Sequence, residues 1–197
     1  MKKAFLYIIL LGFLLPGMLM AQGGYSSIQY VMGFGTDDQS SFISQPSFRG
    51  ISFDYQRYVS ENLSAGVELG WNVFYEKMEY DTYTVESVSL SGKQYRYYNN
   101  FPMLATIQYN LKPDQTLNFY VNLGIGTMYS IKTIDMGMWR LEDKSWHFAL
   151  KPEIGLLYKL NLNSALKLAG KYYTGFATGN ADARSYFAIS AGFAFLL

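Results

Sequence analysis

Between Leu63 and Tyr75 the chain alternates strictly. Leu63, Ala65, Val67, Leu69, Trp71, Val73 and Tyr75 fill one set of positions; Ser64, Gly66, Glu68, Gly70, Asn72 and Phe74 fill the other. Successive side chains of a strand point to opposite faces, so this stretch has one apolar face and one small or polar face. It is long enough to cross a bilayer as a tilted strand, which takes about 9–11 residues. The same alternation recurs and predicts further strands over about 27–35, 48–59, 97–111, 117–129, 146–160, 165–176 and 185–197.

The connections alternate too. Residues 36–47, 76–94, 132–145 and 177–184 form long polar links, whereas 60–62, 112–115 and 161–164 are short turns. Membrane barrels pair short periplasmic turns with longer extracellular loops. The pattern therefore predicts an all-β chain: an eight-stranded antiparallel up-and-down transmembrane β-barrel with both termini periplasmic. Residues 76–94, rich in Tyr, Thr and Ser, are expected to extend their hairpin past the membrane. Residues 36–47 read as a polar loop and 132–145 as a charged loop. Pro102 falls inside a strand, where it cannot donate to a ladder, and predicts a bulge or local irregularity.

Glycine decides which face is inside. Gly33, Gly50, Gly66, Gly70, Gly124, Gly126, Gly155, Gly175 and Gly192 all fall on the face opposite the apolar one. Glycine offers nothing to a water-facing exterior and weakens strands. In a narrow eight-stranded bore it makes room beside Tyr58, Phe74, Tyr120, Met128, Tyr173 and Tyr186. The apolar face is accordingly expected to meet lipid.

The N-terminus fits that destination. Lys2 and Lys3 precede an apolar run from Ala4 to Met20, then Ala21 offers a small cleavage residue. This reads as a secretory signal peptide over 1–21, with a single barrel domain over 22–197. The chain has no Cys, which excludes a disulfide framework and a lipoprotein anchor. Its nearly balanced charge gives no basic patch for nucleic acid.

Several segments resemble the outer-membrane β-barrel domain family common in Bacteroidota, akin to small OmpA-, OmpX- and OmpW-like barrels of the porin type. They are 98–109 (YNNFPMLATIQY), 119–129 (FYVNLGIGTMY), 152–160 (PEIGLLYKL) and the terminal 189–197 (ISAGFAFLL). The resemblance implies the outer membrane of a Gram-negative bacterium and carries no catalytic residue with it.

The chemistry is sparse. Ser145 and His147, with Glu142 and Asp143 nearby, are the one arrangement resembling a Ser/His/acid set for lipid modification. A polar rim at a loop–strand junction is the favoured reading of them, and the chain is expected not to be an enzyme. No metal site or cofactor motif is present in the sequence. Heights along the strands suggest a charge network in the bore. Asp54 and Glu68 fall at the same level on neighbouring strands, as do Glu153 and Lys171, with Lys151 just above. Two adjacent carboxylates in a poorly solvated interior need a cation, so Asp54, Glu68, Lys151, Glu153 and Lys171 are expected to plug the barrel. Three function classes follow: a structural or surface-interaction barrel, a narrow channel for small solutes, and a lipid-modifying enzyme. The expected partners are outer-membrane lipid and an extracellular partner held through 76–94 and 132–145, with the barrel a monomer.

Overall fold

The structure, a computed structural model, describes residues 23–85, 88–178 and 182–197; the expected leader over 1–21 lies outside them. Eight strands follow one another around a closed ring, with the last returning to the first. They are β1 (Gly24–Thr36), β2 (Ser47–Tyr58), β3 (Leu63–Val85), β4 (Val88–Asn110), β5 (Leu117–Met136), β6 (Trp139–Lys159), β7 (Ser164–Gly175) and β8 (Arg184–Leu196). Every pairing is antiparallel, including β1 with β8 from Tyr25↔Leu196 to Thr36↔Ser185. Closure leaves no strand edge within the ring.

The two faces sort as the alternation dictates. In β3, Val67, Leu69 and Trp71 are exposed on the outer wall, while Ser64, Glu68, Asn72 and Phe74 are buried in the bore. An aromatic band crosses the outer wall from β3 to β6. Trp71 stacks on Phe101 at 5.9 Å, Phe101 lies 6.2 Å from Tyr129, and Tyr129 lies 4.8 Å from Trp146. Such girdles mark the membrane–water boundary in transmembrane barrels. At the opposite, short-turn end, the backbone of Gly24 bonds that of Leu197, so both described ends of the ring lie there.

Two local expectations are corrected, and a third is met in part. Residues 36–47 are not all loop: α1 (Asp37–Phe42) forms a short helix that turns into the mouth of the ring, where Gln39 and Ile43 are buried. Burial of that turn, which a polar sequence does not announce, holds it. Residues 132–145 are not a loop either. The β5–β6 ladder runs through Lys132↔Asp143 to Met136↔Trp139, with opposite charges facing across it. Only Gly137 and Met138 make the turn, and Gly137 has φ +58°, where a Cβ is penalised. At Pro102 the expected irregularity is a local lapse of pairing, without a bulge. The β3–β4 register is the same on both sides of it, at Leu69↔Met103 and Asn72↔Asn100, and only the intervening pairs lapse. Gly70 opposite leaves space for the ring: a Cβ there would come 2.8 Å from Pro102 Cγ. The bulges lie elsewhere, between Val31 and Gly33 on the β1–β2 ladder and between Met78 and Asp81 on the β3–β4 ladder.

Candidate functional site

The bore is filled in tiers. Near the short turns Tyr25, Tyr120, Leu157, Ala165, Ala169 and Ala194 form a buried apolar cluster. Towards the long hairpins Val31, Phe74, Leu104, Met128, Tyr173 and Tyr186 belong to another. Between them lies a layer of three carboxylates and three lysines, all buried.

Strand register builds this layer. Asp54↔Glu68 sets two acids side by side on β2 and β3, and Glu153↔Lys171 sets an acid beside a lysine on β6 and β7. An eight-stranded bore is narrow enough for side chains to span it, and the lysines do. Lys151 donates to both Glu68 and Glu153. Lys167 Nζ lies 2.9 Å from Asp54 Oδ2 and 3.5 Å from Glu153 Oε1. Lys171 Nζ lies 3.4 Å from Glu68 Oε2 and donates to Ser52 Oγ at 3.1 Å. Hydroxyl and amide donors complete the carboxylates: Tyr173 to Glu68, Tyr120 to Glu153 at 2.7 Å, and Ser27 and Gln29 to Asp54. Lys167 also sits over the rings of Tyr25 and Tyr120.

The five residues chosen from strand heights all lie in this layer. Sequence reasoning misses Lys167, yet a signal for it exists. Asp54, Glu68 and Glu153 against Lys151 and Lys171 leave one negative charge unmatched, and an unmatched buried charge is costly. Lys167 shares the inward face of β7 with Lys171 and makes the layer neutral.

Above the upper cluster, α1 closes the mouth. Phe42 meets Tyr98 edge-on at 6.3 Å, Arg96 and Lys132 lie over the Phe42 ring at 5.1 and 4.3 Å, and Asn100 donates to Gln39 at 3.2 Å. Burial, with Arg184 nearby, holds the Lys132 ammonium below the ordinary lysine range.

Ser145 and His147 do come together. Ser145 Oγ is 2.8 Å from His147 Nε2, and His147 Nδ1 is 3.1 Å from the Phe176 carbonyl. The acids do not join them. Glu142 pairs with Lys144 at 2.6 Å, and that hydrogen bond lowers its carboxyl below the usual range. The imidazole is therefore oriented by a backbone carbonyl, without the carboxylate that a triad places there to stabilise an imidazolium.

Four strands outrun the ring. β2 stops pairing with β3 at Gly50↔Asn72, and β7 stops pairing with β6 at Ala149↔Gly175. Beyond those levels β3, β4, β5 and β6 continue as an antiparallel sheet, β4 pairing with β5 as far as Tyr95↔Asp135. At about 3.3 Å per residue the hairpins reach roughly 30–40 Å along the strand past the ring. Tyr80, Met138 and Trp139 stand exposed on them.

No family profile matches the sequence, and no curated protein does. Solved structures do share the fold. Neisserial surface protein A (NspA) superposes with a TM-score of 0.58 at 13% identity, covering 87% of this chain and 96% of its own. Ail, the attachment invasion locus protein of Yersinia pestis, gives 0.53 at 11% identity, covering 89% and 100%. The outer membrane protein OprG of Pseudomonas aeruginosa gives 0.50 at 16% identity, covering 89% and 96%. The chain thus has the eight-stranded fold of small outer-membrane barrels.

Proposed function

We propose that this chain is an outer-membrane barrel with a surface-interaction role, its bore closed to steady solute flow and its projecting sheet the contact surface. The short turns and both termini face the periplasm; the two long hairpins face outward. One observation carries the reading: the ring is blocked in depth by a neutral ionic layer, two apolar clusters and α1, while four strands continue well beyond the aromatic band. Investment of so much chain outside the membrane, above a filled bore, favours binding over conduction. Exposed Tyr, Trp and Arg side chains, here Tyr80, Trp139 and Arg140, are residue types that carry binding energy at interfaces. The free edges of β3 and β6 also expose backbone groups able to pair with an added strand. The names of two similar structures, a surface protein and an attachment protein, support the same reading.

Two measurements on the mature chain test it. In planar bilayers the unmutated barrel should show little steady conductance; large stable currents would favour the narrow channel instead. Replacing 132–143 by Asn-Gly joins Ile131 to Lys144, which already face each other. This variant should insert normally and lose binding of expressing cells to a target surface that the parent binds. Retained binding would remove the β5–β6 hairpin from the role.

A further inference from the structure

The bulge in β2 gives one cation an unusual position. Between Val31↔Gly50 and Gly33↔Ser47 the register slips by one, so Phe48 and Arg49 together stand opposite Met32. Both are exposed on the outer wall, while Ser47 before them and Ser52 beyond them turn into the bore. Strict alternation would leave only one of the two outside; the extra residue re-aims the other.

Arg49 is then held without an anion. Its guanidinium lies over the Tyr75 ring, 5.5 Å from the centroid. Among the described residues it has no ion pair and no carboxylate hydrogen bond; its backbone N–H alone bonds Ser47 Oγ at 3.2 Å. Beneath it the outer wall carries a groove of about 500 Å³ lined by Tyr30, Ile51, Trp71, Val73, Tyr97 and Asn99. That volume lies in the range of small-ligand sites. Trp71 belongs to the aromatic band, whereas Val73, Asn99 and Tyr97 lie beyond it towards the long hairpins, so the groove opens outward from the membrane boundary, with Ile51 and Trp71 at its membrane end and Arg49 at its rim.

An apolar trough below and a single unmatched cation at the headgroup level specify an amphiphile with an anionic head. A guanidinium presents a planar fork of donors that suits phosphate. Lys77, two residues beyond Tyr75 on the same exposed face of β3, adds positive potential there. We propose that Arg49 and this groove hold one phosphate-bearing acylated lipid of the outer leaflet, its phosphate on the guanidinium and an acyl chain along Ile51 and Trp71. A second groove of about 580 Å³, on the wall of β5 to β8, supplies a comparison: Phe119, Ile154 and Leu168 line it, and no charged residue does. This proposal rests on the outward orientation of the hairpins in the outer membrane.

The test uses the purified mature barrel in detergent and in nanodiscs, read by native mass spectrometry. Lipid A, its dephosphorylated form and phosphatidylcholine are offered in equal amounts. The parent should retain one lipid A per barrel in preference to the other two. Arg49→Gln should lower that retention about tenfold, the worth of a charge-assisted hydrogen bond. Trp71→Ala should lower it too, and Ile154→Phe in the second groove should leave it unchanged. Heat-modifiable gel mobility confirms that each variant is folded. Equal retention of the dephosphorylated lipid, parent-like retention by Arg49→Gln, or a pair of barrels in place of the lipid would each overturn the site. An inserted barrel without preference overturns this proposal alone, whereas failure to insert overturns the membrane reading with it.

Discussion

Lys151→Met is the sharpest probe of the ionic layer. Lys151 is fully buried and donates to Glu68 and Glu153 at once. Methionine keeps an unbranched apolar stem of similar length, so the change removes charge with little cavity contribution. Taking one partner from a buried ion pair costs about 3–5 kcal/mol, because the other charge stays behind uncompensated. Here two neighbours soften the loss: Lys171 lies 3.4 Å from Glu68 and Lys167 lies 3.5 Å from Glu153. The expected cost is therefore at the lower end, about 3 kcal/mol. Urea unfolding in lipid vesicles, followed by tryptophan fluorescence, measures it. Adding Glu68→Gln restores neutrality, with two acids against two lysines, and should recover about half of the loss. A single variant within about 0.5 kcal/mol of the parent, the range of an ordinary surface change, would refute the pairing. So would a double variant as unstable as the two single changes added together.

Leu69, half exposed near mid-strand, should cost about 2–4 kcal/mol when changed to Arg, whereas Leu117→Arg at the short-turn rim should cost about 0–1. Equal costs in the same titration would mean that the apolar wall does not face lipid. At Gly155 a Cβ would come 2.5 Å from the Tyr120 ring, which donates to Glu153. Gly155→Ala should therefore lose about 1–3 kcal/mol, whereas Gly170→Ala, whose Cβ meets nothing nearer than 3.6 Å, should be tolerated. A similar loss at both positions would show that crowding inside the bore is not the cause.

The ring was legible in the sequence because an apolar outer wall and a filled polar bore impose opposite demands on alternate residues. Leu69 and Glu68 could not exchange faces. That contrast ends where water lies on both sides. Lys132, Asp143 and Glu142 therefore read as loop, although they sit on paired strands. Likewise nothing local marks α1, because its order comes from Gln39 and Ile43 finding the mouth of a closed ring. The kind of irregularity at Pro102 was open for a related reason: the space that accommodates it belongs to Gly70 on another strand. The bulge at Phe48 and Arg49 was equally hidden, since register is a property of two strands. In the ionic layer, strand heights located five members, and charge balance held the information for the sixth.

The placement of the ionic partners bears on how the barrel assembles. Asp54 and Glu68 come from β2 and β3, whereas Lys151, Lys167 and Lys171 come from β6 and β7. Most of their contacts join residues on opposite walls, so an open sheet cannot form them. Until β8 meets β1, these six charges face water and keep the unfinished sheet hydrated. Their attraction across the bore arrives together with the last row of backbone bonds. The layer thus rewards only the completed circle in its correct stagger, since sliding the first strand pairs by two residues against the later ones would separate acids from lysines. A side-chain cluster drawn from both walls of the bore acts in this way as a check on closure of the whole.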